Sequence, residues 1–309
     1  MSDFFQLAVG QSIKSESGVW YKNVQVLGHG GNASTFLALA TSGTHKGVLF
    51  AIKVFRKLSS KTRRDAFLQE IDYLQAANHP SIMKVYDAGI FTRYSAHGDL
   101  EYPFVAAEYL PKTLADVLKA GSSTMPERIS YALQLLSALS YLAGRNPAVV
   151  HRDIKPQNIF VKGGSCVLGD FGLMKLTDAA DDEDREILKE SELPGMPFYY
   201  RTPDLIAYAR KEHGITPKSD VFQLGLVLAE LFTGRNPAKR PADILDDLEL
   251  EPLAHVPGAL GNGVAVLLKR MLVLDPDVRE TAAQLTDGWH GVMSDAIDRS
   301  HALEGRVFL

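Results

Sequence analysis

The sequence predicts an α+β fold in which a small antiparallel, β-rich part is followed by a larger helical part. Residues 19–55 contain runs rich in β-branched and aromatic side chains, separated by Gly-containing turns, which is typical of β-strands. Beyond about residue 114, apolar side chains recur instead at helical spacing. The 309 residues exceed the usual size of one domain, which favours two domains or two lobes.

The β-rich part is predicted to contain five strands and one helix. The strand-like runs are VWYKNVQVLG, STFLALAT, GVLFAIKVF, IMKVYDAGIF and YPFVAAEYL. The predicted helix covers residues 61–77, where the apolar side chains lie near one face.

Helices dominate the second part of the chain. Residues 126–143 form an amphipathic pattern that begins with a proline, and residues 263–274 and 281–297 also show helical spacing. The segment SDVFQLGLVLAELFTG, residues 219–234, is apolar on nearly all sides. Such a helix is expected in the interior of a protein.

The composition excludes several classes of protein. A formal net charge of −4 argues against a nucleic-acid-binding surface, and the single cysteine, Cys166, excludes an internal disulfide or a Cys-based zinc site. No apolar run approaches the roughly 18 residues of a membrane span. The N-terminus also lacks the basic and apolar regions of a secretory signal, so we expect a soluble, cytoplasmic protein.

A glycine-rich loop, GHGGNAST, follows the first predicted strand. Glycines such as Gly28 and Gly30 let backbone N–H groups approach phosphate oxygens closely, because no Cβ intervenes. Taken alone, the loop could simply turn the chain, and Ala33 stands where a G-x-G-x-x-G motif has its third glycine.

A lysine interrupts the apolar strand FAIKVF. By strand alternation Ala51, Lys53 and Phe55 share a face, which places the ammonium group where a core residue is expected. A lysine at a sheet edge is the ordinary explanation. The alternative is a phosphate-binding lysine whose partner is Glu70 on the predicted helix.

The segment HRDIKPQN, with GDFG downstream, carries the strongest chemical signal. Strands at IFV and CVL predict a hairpin through residues 162–164 that brings Asn158 close to Asp170, and their oxygens suit Mg²⁺ bridging phosphates. Asp153 is then available to orient an attacking hydroxyl, and Lys155 to neutralise charge on a phosphoryl group. A polar turn with capping residues is the alternative, but it does not explain these residue types at this spacing.

In these motifs the sequence resembles the eukaryotic-type (Hanks-type) Ser/Thr protein kinases. The resemblance covers roughly residues 20–295, and its motifs occur in the order of the family: GHGGNA, AIK, Glu70, HRDIKPQN, DFG, TPD, SDVFQLG and DPDVR. It implies a bilobal fold. The implied division is an N-terminal extension (1–19), an N-lobe (20–107), a hinge (108–113), a C-lobe (114–295) and a C-terminal tail (296–309).

The resemblance also implies roles for individual residues, with ATP and Mg²⁺ as cofactors. Asp153 is the implied catalytic base, Lys155 marks Ser/Thr-directed members, and Asn158 and Asp170 are the implied Mg²⁺ ligands. The implied ATP-binding residues are Gly28, Gly30, Ala51, Lys53 with its partner Glu70, Glu108 and Leu110.

Further residues take structural roles by the same resemblance. Asp204 is expected to pair with Arg279 and so to fix the activation segment, the part of the chain between the DFG and TPD motifs. His151, Phe171 and Leu74 are expected to pack in the interior, so that His151 is not a general base.

Two features leave the acceptor and the regulation open. Met196 stands where the family commonly has a threonine whose hydroxyl contacts the catalytic Asp and Lys, and methionine cannot make these contacts. The expected substrate is a protein with a Ser/Thr acceptor. The alternatives are a kinase with a non-peptide acceptor and a nucleotide-binding pseudokinase scaffold. Residues 178–192 are strongly acidic, which usually means a solvated loop. Because Arg152 precedes Asp153, we alternatively expect regulation by autophosphorylation at Ser191 or Thr177. The sequence does not reveal the oligomeric state.

Overall fold

The structure, a computed structural model, describes residues 6–29, 33–55, 71–94, 99–170, 175–176, 198–240 and 246–307. The chain divides into two compact units. Unit 1 comprises Met1–Asn78 and Ile82–Pro111, and unit 2 comprises His79–Ser81 and Lys112–Leu309. The division into extension, lobes, hinge and tail given above stays a prediction.

Unit 1 is built on one antiparallel sheet with the strand order β1-β2-β3-β4-β6-β5. Its strands are β1 (Ser12–Lys14), β2 (Trp20–His29), β3 (Ala33–Ala40), β4 (Leu49–Phe55), β5 (Val85–Arg93) and β6 (Leu100–Glu108). Helix α1 is described over residues 71–76, at the end of the predicted helix 61–77.

The prediction of five strands was wrong, because the described residues of unit 1 form six strands, with β1 at the edge of the sheet. Strand β1 has three residues, of which only Ile13 is apolar, so it carries no periodic signal. Ile13 is nevertheless 1% exposed and belongs to the core of unit 1. Asn23 adds to the attachment of this N-terminal segment, since its Nδ2 donates to the carbonyl oxygen of Leu7 at 2.7 Å.

One buried apolar cluster of unit 1 lies on one face of the sheet, and the opposite face also contains buried residues such as Val105. In β4 the side chains of Phe50, Ile52 and Val54 are buried in this cluster, whereas Ala51 and Lys53 lie half-buried on the opposite face. The alternation was therefore predicted correctly, and the face that carries Lys53 also holds its buried register partner Val105 and the buried Ala107. Lys53 itself is only half-buried, so part of its long side chain stays exposed to solvent.

Unit 2 is mainly helical. Its helices are α2 (Leu114–Ala120), α3 (Met125–Ala143), α4 (Pro203–Ala209), α5 (Lys218–Thr233), α6 (Gly261–Met271) and α7 (Ala282–Val307). In the described part of unit 2 they are accompanied by two antiparallel strand pairs, β7 (Val149–Val150) with β10 (Lys175–Leu176), and β8 (Ile159–Lys162) with β9 (Ser165–Leu168). Single turns of 3₁₀-helix lie at Pro156–Asn158 and Phe198–Tyr200.

Local sequence signals explain where the main helices of unit 2 begin and end. Helix α3 begins with a capping box, in which Thr124 and Glu127 satisfy each other's backbone N–H groups. Helix α5 ends at Gly234, whose φ of 75° suits a residue without a Cβ. The short helices α2 and α4 were not predicted. Helix α5 is buried on nearly all sides, as its composition indicated.

Across the described residues, no helix is both long enough and apolar enough to cross a membrane.

Candidate active site

The segment His151–Asn158 of unit 2 follows β7 and ends with the 3₁₀ turn Pro156–Asn158. The buried side chain of Asp220 fixes its start. The Oδ2 of Asp220 on α5 accepts from the backbone N–H of His151 at 2.7 Å, and its Oδ1 accepts from that of Arg152 at 2.9 Å. Arg152 has a φ of 67°, in the left-handed region. An arginine there is strained by its Cβ, so the surrounding contacts must determine this conformation.

The Asp153 carboxylate lies at the centre of this segment. Lys155 Nζ donates to both of its oxygens, each at 2.8 Å, and Asn158 Nδ2 donates to Oδ2 at 2.7 Å. Asn158 Nδ2 also donates to the backbone carbonyl of Asp153 at 2.8 Å. The Asp153 side chain is 12% exposed, so a solvent-borne hydroxyl can still reach it. The structure thus brings together three of the predicted catalytic and metal-binding residues.

The predicted hairpin is confirmed, and it places Asn158 beside the segment that contains Asp170. Ile159 pairs with Leu168, and the Gly169 N–H donates to the Asn158 carbonyl at 2.9 Å. Turn residue Gly163 has a φ of 61°. The next residue after Gly169 is Asp170, at a φ of 60°.

The residues Asn158 and Asp170 fit a magnesium ion by the chemistry of their donors. Both hydrogens of the Asn158 amide point to Asp153, which leaves its oxygen as the possible ligand, and Asp170 supplies a carboxylate. Within the described ranges there is no group of three or more His, Cys, Asp or Glu side chains that could bind a metal. A site with one carboxylate agrees with Mg²⁺, which is usually held by one or two carboxylates together with substrate phosphates.

His151 is fully buried, which agrees with the predicted packing role. Its Nε2 lies 3.0 Å from the Gly169 carbonyl oxygen and its Nδ1 accepts from the Asp153 N–H at 3.3 Å. These contacts fit a neutral ring with the proton on Nε2. Burial lowers the pKa of His151, which also favours the neutral form.

The predicted pair of Asp204 and Arg279 is confirmed. The Arg279 Nη1 donates to both carboxylate oxygens of Asp204, at 3.1 and 2.8 Å, and the two side chains are 3% and 0% exposed. The guanidinium group also donates to the carbonyls of Lys218, Val273 and Leu274. Asp204 lies in the first turn of α4, so this pair fixes the start of that helix.

In unit 1, the predicted ATP-binding residues lie on β2, β4 and at the end of β6. Gly28 is in β2, and a side chain in place of its hydrogen would meet nothing within 4 Å. Lys53 pairs with Thr35 and Val105 through the sheet, and its Nζ lies 5.2 Å from the centre of the Phe55 ring. The remaining residues are Ala51 on β4, Glu108, which ends β6, and Leu110 two positions beyond it.

Several predicted residues lie outside the described parts of the chain. These are Gly30, Glu70, Phe171, Met196, Thr177 and Ser191, together with the acidic run 178–192. The pairing of Lys53 with Glu70 and the effect of Met196 therefore stay predictions.

Asp220 and Gln223 were not predicted as site residues, although both lie in the motif SDVFQLG. Both are buried and contact the backbone of the segment around Asp153. A signal was available, because two polar residues three positions apart on one face of an otherwise apolar helix need buried partners.

Comparison with known proteins agrees with this site. The family model described as protein kinase domain matches residues 21–289. The chain is 30% identical over 281 residues to a probable serine/threonine-protein kinase, nek3, of Dictyostelium discoideum, covering 86% of this chain and 23% of that protein. It is 30% identical over 252 residues to the probable serine/threonine-protein kinase PknB of Bifidobacterium longum, covering 77% and 34%.

A third relative is mitogen-activated protein kinase kinase kinase 3 of Arabidopsis thaliana, 29% identical over 275 residues, or 86% of this chain and 42% of that protein. The chain spans less than half the length of each of these relatives. The antiparallel sheet of unit 1 and the helices of unit 2 agree with the α+β kinase fold that the sequence predicted. From the extent of the family match, the chain belongs to the protein kinase family.

Proposed function

We propose that the chain is an ATP- and Mg²⁺-dependent protein kinase that transfers the γ-phosphoryl group to Ser or Thr hydroxyls of a protein. The arrangement of the Asp153 carboxylate between Lys155 and Asn158 carries this proposal. Two of the relatives support the Ser/Thr acceptor, since both carry serine/threonine-protein kinase in their names.

The hydrogen bonds of Asp153 indicate which oxygen acts as the base. Each carboxylate oxygen has two acceptor sites, and those of Oδ2 are used by Lys155 Nζ and Asn158 Nδ2. Among the described residues, Oδ1 accepts only from Lys155, so one acceptor site is left for the hydroxyl of the acceptor protein. We infer that Oδ1 orients this hydroxyl and takes its proton as the oxygen attacks phosphorus.

Lys155 has a second task in this proposal. Two of its three ammonium hydrogens point to Asp153, and the third is available for an oxygen of the transferred phosphoryl group. Asn158 and Asp170 would hold Mg²⁺, which supplies positive charge at the phosphate oxygens when bound. Gly28, Gly30, Ala51, Lys53, Glu108 and Leu110 would bind ATP, and Glu70 would orient Lys53.

Removing the base is the direct test. Because a positioned base contributes about 10²- to 10⁴-fold, we expect Asp153→Asn to lower transfer of radiolabelled phosphate to a generic protein acceptor by that factor. Asp298→Asn, which changes an exposed aspartate on α7, serves as the matched control and should keep full activity. Equal activity of Asp153→Asn and wild type would contradict the proposal.

The same assay separates the alternatives. Nucleotide binding without transfer to any acceptor would indicate a pseudokinase scaffold, and transfer to small molecules but not to proteins would indicate a non-peptide kinase.

Autophosphorylation at Ser191 or Thr177 is part of the proposal. Intact-mass measurement after incubation with ATP and Mg²⁺ should show added phosphate, which Ser191→Ala with Thr177→Ala should abolish. The cytoplasmic location stays a prediction.

A further inference from the structure

Gln223, on α5, is a fully buried amide that contacts two separate backbone segments of unit 2. Its Oε1 accepts from the Ile154 N–H at 2.9 Å, and its Nε2 donates to the carbonyls of Arg152 and Tyr200, each at 2.9 Å. Both amide hydrogens and the amide oxygen are therefore used. This leaves the side chain one orientation that satisfies all three backbone groups.

The first two of these contacts enclose Asp153. The Arg152 carbonyl belongs to the peptide bond that precedes Asp153, and the Ile154 N–H belongs to the peptide bond that follows it. One side chain thus fixes the peptide units on both sides of the proposed base. The backbone groups of Asp153 itself contact His151 and Asn158, so the residue has little freedom to turn.

Gln223 also stabilises the strained conformation of Arg152. The N–H of this residue donates to Asp220 at 2.9 Å and its carbonyl accepts from Gln223, so both polar backbone groups are fixed from α5. Asp220 and Gln223 are three positions apart and therefore lie on the same face of the helix. Without the contact to Gln223, the carbonyl of Arg152 would lose its buried donor and the strained peptide could relax.

The third contact reaches a different segment. Tyr200 lies four positions after Met196, where the kinase resemblance places a threonine that contacts the catalytic Asp and Lys. Tyr200 is buried, and its hydroxyl donates to Glu230. Asn236 Nδ2 donates to the neighbouring carbonyl of Tyr199 at 2.9 Å. Gln223 therefore contacts both the segment around Tyr200 and the segment around Asp153.

We propose that Gln223 is a positioning residue that couples the backbone on both sides of Asp153 to the backbone of Tyr200. Its role in transfer rests on the proposed kinase function. It holds the backbone around the base at a constant position relative to the backbone of Tyr200, and because it is fully buried it touches neither ATP nor the transferred group. A side chain of equal length without the amide, such as methionine, cannot make these three contacts.

Steady-state kinetics test the effect on catalysis. Because a misplacement of about 1 Å can cost about 10²-fold, we expect Gln223→Met to lower kcat for protein phosphorylation by roughly that factor, while KM for ATP stays within about two-fold. Gln223→Glu keeps the acceptor for Ile154 and has at most one hydrogen to donate, so its kcat should lie between those of wild type and Gln223→Met. An unchanged kcat in Gln223→Met overturns the proposal.

Hydrogen–deuterium exchange tests the coupling without any activity. In Gln223→Met, peptides covering 151–155 and 199–203 should both exchange faster than in wild type. The matched control is Leu228→Ala, which removes buried apolar volume from the same helix and should not change these two segments selectively. Exchange that rises in one segment alone, or equally in the control, overturns the coupling. If wild type transfers no phosphate, the kinase proposal fails, and the exchange result alone still decides the coupling.

Discussion

Lys53 in unit 1 and Asp153 in unit 2 are positioned in different ways. Lys53 lies in the regular register of the sheet, between Thr35 and Val105, with buried neighbours Ile52 and Val54 on the opposite face. Asp153 lies in an irregular segment next to a residue with positive φ. Backbone pairing between strands places the lysine, whereas buried side chains from distant parts of the sequence place the aspartate.

This difference predicts how each unit responds to substitution. The sheet of unit 1 loses stability in proportion to the apolar volume that is removed, because packing supports it. The segment around Asp153 is sensitive to the loss of a single polar partner, because an unpaired buried backbone group is costly. Four substitutions test this contrast, in order of decreasing effect.

The largest effect is expected for Asp204→Ala in unit 2. Arg279 would keep its positive charge in a fully buried position without the carboxylate, which should lower the free energy of unfolding by about 3–5 kcal/mol. Urea unfolding measures this loss, and Asp298→Ala at the exposed face of α7 is the control. A decrease in the free energy of unfolding of less than about 1 kcal/mol, which is typical of a surface ion pair, would contradict the assignment of Asp204 and Arg279 as a buried ion pair.

A smaller, pH-dependent effect is expected for Asp220→Asn. Burial is the main cause that raises the pKa of Asp220 to about 7, well above the usual value of an aspartate. The amide replaces one of the two acceptor oxygens, so a buried N–H of His151 or Arg152 loses its partner at a cost of about 1–3 kcal/mol.

The sign of the pH dependence follows from the raised pKa. The folded protein retains a proton on Asp220 that the unfolded chain releases near pH 4, so the contribution of this group is greatest below that pH and declines up to about pH 7. Asparagine does not titrate. The stability difference between wild type and Asp220→Asn should therefore shrink between pH 5 and pH 8 in urea unfolding. A difference that grows over this range would refute the assignment.

For unit 1, Ile52→Val tests the role of packing. Ile52 is 0% exposed in β4, and loss of one buried methyl group should cost about 0.5–1.5 kcal/mol. Amide exchange should become faster in β3, β4 and β6, while residues 151–158 stay unchanged. The exposed Leu49→Val on the same strand is the control. Faster exchange in residues 151–158 alone would contradict the contrast between the two units.

The smallest effect is expected at the surface of unit 2. The hydrogen bond from Arg270 lowers the pKa of Glu280, but the two side chains are 37% and 32% exposed. Glu280→Gln should therefore cost only about 0.5 kcal/mol at neutral pH. Because the pKa of Glu280 is lowered in the folded protein, the stability difference between wild type and Glu280→Gln should disappear as the pH falls through that pKa. Thermal unfolding at pH 7 and pH 3 measures the change, and a larger loss at pH 3 would contradict it.

Much of the architecture followed from local sequence patterns. The strands β2–β6, the helices α3 and α5–α7 and the hairpin of β8 and β9 all have clear periodicity or turn residues, and such signals depend only on near neighbours. Strand β1 and the short helices α2 and α4 were missed because they contain too few periodic positions. Their formation depends on packing against the rest of each unit.

The sequence by itself determined the residue types of the site and their order, because phosphoryl transfer requires a carboxylate, a lysine and metal-binding oxygens at characteristic spacings. Tertiary structure alone decided how Asp153 is fixed in place. Its neighbours His151 and Ile154 each donate to side chains 69 residues away, on Asp220 and Gln223. Such contacts leave no periodic trace in the sequence, because they arise only when a buried helix and an irregular segment fold against each other.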